Sequence, residues 1–177
     1  MAKQNTKSKK GFTIIEVVLV LAIAGLIFLM VFIALPALQR SQRDTQRRDD
    51  MSRFMSQLSQ YQANNAGKVP GDKNPDESDY QDFINNYLKV GNTDSFADPS
   101  TGLDYHIIKV SKCTSSQCAS TTNSNTTNGT AKGDDMGEIS VYTNARCDGE
   151  DPKYIQGDRK VAITLKLEGA GVYCGNN

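Results

Sequence analysis

Val17 to Leu38 is a run of 22 residues without a charge, and it decides most of what this chain can be. As a helix rising 1.5 Å per residue it spans about 33 Å, against a bilayer hydrocarbon core of roughly 30 Å. One acid, Glu16, stands at its edge, behind Lys9, Lys10 and Gly11. A carboxylate at the centre of a membrane helix costs about 2.5–3.5 kcal/mol, and less near the interface. An acid kept there is by default a functional residue. A secretory signal peptide does not explain the run. Ala22-Ile23-Ala24 imitates a cleavage site, but apolar residues continue where a polar region should follow. An ordinary single-pass anchor explains the length, but neither Glu16 nor Gly11.

The rest of the chain leaves about 140 residues, enough for one modest domain. Charge is placed unevenly. Lys3, Lys7, Lys9 and Lys10 precede the apolar run with no acid among them; from Arg40 onward 16 basic and 19 acidic residues give −3. A mildly acidic head has no bulk attraction to phosphate backbones. Arg146, Lys153, Arg159 and Lys160 are the only loose basic grouping, and acids interrupt them. The chain has one histidine, His106, and no tryptophan. No spacing of His, Cys and acid suggests catalysis or a tight transition-metal site, so the expectation is no enzyme and no cofactor. Calcium is a candidate at Asp134-Asp135…Glu138 and Asp148-Gly149-Glu150-Asp151, but neither has EF-hand spacing. Solvated acidic turns are the simpler reading. The four cysteines lie far beyond the apolar run, and an even count on an exported side suggests two disulfides. Three connectivities are open; we favour Cys113–Cys118 as a local clip and Cys147–Cys174 as a longer staple.

The stretch Lys9-Lys10-Gly11-Phe12-Thr13-Ile14-Ile15-Glu16 resembles the class III leader junction of type IV prepilins. Four features coincide: a basic leader, a Gly-Phe junction, a glutamate four residues on, and an unbroken apolar helix. The resemblance implies cleavage between Gly11 and Phe12 by a prepilin peptidase, and N-methylation of Phe12. It implies that Glu16 meets the Phe12 amine of a neighbouring subunit and fixes axial register. It also implies a stretch between Gly25 and Pro36 that unwinds on assembly. The implied organisation is a leader over 1–11, a transmembrane and filament-core helix over 12–38, its continuation over 39–65, and a globular head over 66–177. The implied fold is α+β, a long N-terminal helix packed on a small antiparallel sheet. The implied role is a structural subunit of a type IV pilus or similar filament. Its partners are copies of itself, the prepilin peptidase, and the assembly platform with its ATPase. The precursor sits in the cytoplasmic membrane with its head outside, and the product in a surface pilus. A type II secretion pseudopilin is the runner-up; a membrane-anchored DNA-binding or adhesin head is the alternative from another class. The segment from Cys147 to Cys174 resembles the disulfide-bounded, exposed region of pilins.

Beyond the apolar run, Arg40 to Asp50 is polar all round and reads as a helix held by i,i+4 pairs: Arg40–Asp44, Asp44–Arg48 and Asp49–Arg53. It serves either as a solvated bridge or as an inter-subunit charge zipper. Met51, Phe54, Met55, Leu58 and Tyr61 then form an apolar stripe meant for a sheet. Asn64-Asn65-Ala66-Gly67, with Pro70 beyond, predicts the helix end. Ser78 is expected to cap a short helix over 79–89. Strands are expected over 104–110, 138–143 and 160–167, with a short edge at 172–173. Val161, Ile163, Leu165 and Leu167 alternate, which predicts one buried face. The Ser/Thr/Asn-rich stretch 111–133, with sequons at Asn125 and Asn128, reads as an exposed mobile loop.

Overall fold

The computed structural model describes residues 11–72, 76–89, 95–115, 118, 137–157, 159–169 and 171–177. The leader before Gly11, and most of 111–133 with both sequons, lie outside the described residues, as do Asp134 and Asp135. The chain divides into two compact units, Met1–Gln39 and Arg40–Asn177. The elements are α1 (Ile14–Asn64), α2 (Glu77–Phe83) running into one π-helical turn (Ile84–Leu88), β1 (His106–Lys112), β2 (Glu138–Thr143), β3 (Ala145–Asp148), β4 (Asp151–Tyr154), β5 (Val161–Lys166) and β6 (Val172–Asn176). This is an α+β, pilin-like arrangement of a long helix and a small sheet.

In the first unit, α1 is apolar on every side. Each large apolar side chain from Phe12 to Leu38 is between 47% and 88% exposed. Such a surface has no partner among the described residues of the unit, and the helix is long and apolar enough to cross a membrane.

In the second unit, α1 changes character. Met51, Phe54, Met55 and Leu58 are buried, and they join Phe83, Ile84 and Leu88 and the inward residues of the sheet in one core. Aromatic rings form much of it: Phe54 meets Phe83 edge-on at 5.4 Å between centroids, and Phe96 lies 4.7 Å from Tyr105. The helix stops at Asn64. The Gly67 amide donates to the Gln62 carbonyl at 2.6 Å, with Ala66 and Gly67 both at positive φ, a Schellman-type end.

The sheet has the order β1-β2-β5-β6. It is mixed, where the sequence predicted antiparallel pairing throughout. β1 runs parallel to β2, while β2–β5 and β5–β6 are antiparallel. A parallel return needs a crossover of about a dozen residues or more, and the chain from 113 to 137 is long enough to make one. A second difference concerns β5. Every residue from Val161 to Leu165 is buried, not alternate ones. Val161, Ile163 and Leu165 face the main core. Ala162 joins Tyr142, Ala145 and Cys113 in a second cluster, against which Cys118, Cys147 and Cys174 pack. The opposite face is therefore covered by cystines and by the β3–β4 hairpin, which sequence reasoning missed. Its strands are short and polar, and Pro152 faces Cys147 within the pairing, so no alternation marked them.

The cap of α2 also differs from expectation. Asp76, not Ser78, caps it, accepting from the Asp79 amide at 3.0 Å, while Ser78 donates to Asp76. The helix starts at Glu77 because the aspartate precedes it and offers a charged acceptor.

Candidate functional site

Gly11, Phe12 and Thr13 precede the helix in non-helical conformation. Phe12 is 88% exposed, and the space around Gly11 is open. Thr13 and Glu16 lock the first turn. The Thr13 backbone N–H and hydroxyl both donate to Glu16 Oε2 at 3.0 Å, and the Glu16 N–H donates to Thr13 Oγ1 at 3.3 Å. This reciprocal pair is a capping box. It satisfies amides that a helix start leaves bare, and it places the carboxylate at the positive end of the helix dipole. Glu16 therefore has a partner within its own chain. The Thr-x-x-Glu spacing before an apolar run is the sequence signature of this cap, a signal that sequence reasoning missed. Gly25 and Pro36 both lie inside α1, which continues through them.

Residues 6–32 match the family model of the prokaryotic N-terminal methylation motif. The chain carries a type IV prepilin leader. No curated protein and no solved structure matches the chain. The motif supports a pilin-like or pseudopilin protein. The match ends before the head, whose features rest on the structure alone.

The head of this prepilin-like chain holds a buried ion cluster that the sequence did not reveal. Arg47 is fully buried. Its Nε and Nη2 donate to Asp98 Oδ2 and Oδ1 at 2.6 and 3.0 Å. Nη1 donates to Asp44 at 2.8 Å, and Nη2 also reaches Ser100 Oγ at 2.8 Å and Glu168 at 3.0 Å. Arg43 clasps Glu168 with two bonds of 2.8 and 2.6 Å. Asp44 accepts the Glu168 and Gly169 amides at 2.9 and 2.8 Å. A Cβ on Gly169 would stand 2.9 Å from Asp44 Oδ2, so this turn needs glycine for its close approach. The expected pairs Arg40–Asp44 and Asp44–Arg48 give way to these inward bonds, because Asp44 and Arg47 fall on the buried face of α1. Neither the solvated bridge nor the zipper describes them. The sequence signals were weak: an Asp-Pro-Ser-Thr-Gly turn whose Asp98 also accepts the Ser100 and Thr101 amides, and an isolated Glu168 before Gly169.

The electrostatics follow the contacts. Burial alone would push Asp98 up, but the bonds from Arg47 and Ser100 outweigh it and hold the carboxyl at about 2. Asp44 is likewise lowered: burial opposes, while the two amides and Arg47 prevail. Arg43 is the main cause of the lowering of Glu168. Asp50 goes the other way. Burial raises it, and the Tyr105 hydroxyl, donating at 3.1 Å, offsets this only in part.

Cys113 pairs with Cys118, and Cys147 with Cys174, at Cα separations of 4.6 and 5.8 Å. His106 Nε2 stands 3.6 Å from Glu138 Oε1 on the neighbouring strand. Of the loose basic residues, Lys153 pairs with Asp148 across the β3–β4 turn, and the Arg159 guanidinium packs over Gly67. Among the described residues no group of three or more His, Cys, Asp or Glu is placed to hold a metal ion.

Proposed function

We propose that this chain is the structural subunit of a type IV pilus or pilus-like filament. A prepilin peptidase removes residues 1–11 and Phe12 becomes N-methylated. The apolar helix holds the precursor in the cytoplasmic membrane, head outside, until an assembly platform with its ATPase adds it to a growing filament. The observation that carries this reading is the placing of the methylation motif over residues 6–32 on a helix whose apolar residues are exposed on all sides. Packing such helices together removes that surface from water or lipid. Both Thr13 donors go to Glu16 Oε2, which leaves Oε1 for the Phe12 amine of a neighbour. A carboxylate and an amine paired in an apolar bundle favour one axial register, because any other leaves a charge uncompensated.

The test is intact mass and N-terminal sequencing of protein sheared from cells, for the wild type and Glu16→Ala. The expected product begins at methylated Phe12, has a mass four hydrogens below the fully reduced value, and is lost from the sheared fraction in Glu16→Ala although processing continues. A leader kept intact in the membrane would overturn the proposal. Processed protein confined to the periplasm, with a secretion defect on deletion, would assign the chain to the pseudopilins.

A further inference from the structure

We infer that Arg47 and its three carboxylates act as a register lock, holding α1 against the head in one axial position. The reason lies in the pattern of the buried face. Its apolar sites within the head are Met51, Phe54, Met55 and Leu58. Sliding α1 by three residues, about 4.5 Å, brings Phe54, Gln57, Leu58 and Tyr61 to those sites. Three of the four remain apolar, and nonpolar burial discriminates weakly between such fillings. Helices in other proteins do move past packed neighbours by about one turn as discrete steps.

The charged sites discriminate sharply. The same slide carries Asp50 into the place of Arg47, opposite Asp98 and Glu168, and carries Arg47 into the place of Asp44. There it would confront the Glu168 and Gly169 amides, which now donate to Asp44. Asp50 would then face two acids at the place the guanidinium now fills, Arg47 would be drawn one turn away from them, and two amide donors would face a third donor. Arg47 also bonds partners from two distant segments, the turn at Asp98 and the β5–β6 turn at Glu168. Its planar fork satisfies both only at one depth. A buried ionic cluster adds little net stability over apolar packing, and fixing register is its best-attested use. Here the device would keep α1 from ratcheting along the head when the helix is loaded along its axis.

The test measures distances by double electron–electron resonance in the full-length protein in detergent micelles. Spin labels go on Ser56→Cys with Tyr154→Cys, and on Ser56→Cys with Thr101→Cys, so that axial sliding alters at least one distance. The parent gives one narrow distance for each pair. The variant Arg47→Met/Asp98→Asn/Glu168→Gln removes the charges of Arg47 and its two distant partners, leaves Asp44 on its backbone donors, and keeps the volume roughly filled. It is expected to show a second population displaced by up to about 4.5 Å. A folded variant with only the parent distances overturns the lock. Should that variant unfold, Asp98→Asn/Glu168→Gln, which keeps Arg47 and its hydrogen-bond acceptors, decides by the same criterion.

Discussion

Replacing Arg47 by methionine is the sharpest test of how the head is held together. The side chain is fully buried and bonds Asp44, Asp98 and Glu168, themselves between 0% and 13% exposed. Breaking a buried pair by removing one partner costs about 3–5 kcal/mol, because the other charge is left uncompensated. Part of that is relieved here. Arg43 still holds Glu168, and backbone amides still serve Asp44 and Asp98. The low end, about 3 kcal/mol, is therefore expected, and for a domain of this size it lowers Tm by roughly 10 °C. The assay is thermal and urea unfolding of the full chain in detergent, followed by circular dichroism in the near ultraviolet, where the tyrosines of the head report. Adding Asp98→Asn to Arg47→Met removes one orphaned charge and should recover about 1 kcal/mol or more. A loss under about 1 kcal/mol for Arg47→Met would refute the reasoning, as would a double variant less stable than the single.

Other expectations follow from the same geometry. Asp98, Asp44 and Glu168 have lowered pKa values, so their stabilisation is present above the ordinary carboxylate range and is lost as pH falls through the folded values. For Asp98 that window runs from about pH 4 down to about 2 and is worth about 2 kcal/mol. Asp50 is raised, so its contribution has the opposite sign and is lost as pH rises. Urea midpoints should therefore fall steeply below about pH 4, and Asp98→Asn should flatten that fall. Cys147→Ser/Cys174→Ser opens a link spanning 27 residues and uncovers part of the second face of the sheet. A loss of roughly 3–4 kcal/mol is expected, against about 2 kcal/mol for the shorter loop of Cys113→Ser/Cys118→Ser, read by urea unfolding. Thr13→Ala removes the cap and should cost about 1 kcal/mol of helix start, seen as faster amide exchange at residues 14–17 in micelles; Thr13→Ser should retain protection.

The N-terminal half was legible because it obeys local rules. Glu16, Gly11 and Phe12 stand at fixed spacings beside a long uncharged run, and the run's length alone makes it a membrane-crossing candidate. The stripe Met51–Leu58, the stop at Asn64, and strands β2 and β5 were legible for the same reason: apolar periodicity and turn chemistry belong to residues near one another in the chain. The parallel pairing of β1 with β2, the hairpin at Ala145–Tyr154 and the cap at Asp76 were read wrongly or missed. The direction of β1 against β2 is set by the connection between them and not by the residues of either strand, the hairpin strands are short and polar, and at the start of α2 two acceptors compete for the cap.

The sequence by itself determined the leader, the apolar helix and the existence of a small α+β head. Only the tertiary structure decided what the arginines do. Arg40, Arg43, Arg47 and Arg48 look alike in a polar run, but Arg47 is buried because its face of α1 turns toward Asp98 and Glu168, which lie 51 and 121 residues away. A pair so far apart in the chain leaves no spacing to read. Its energy exists only once the fold has excluded water, because desolvation is what turns those charges into a cluster that one register alone can satisfy.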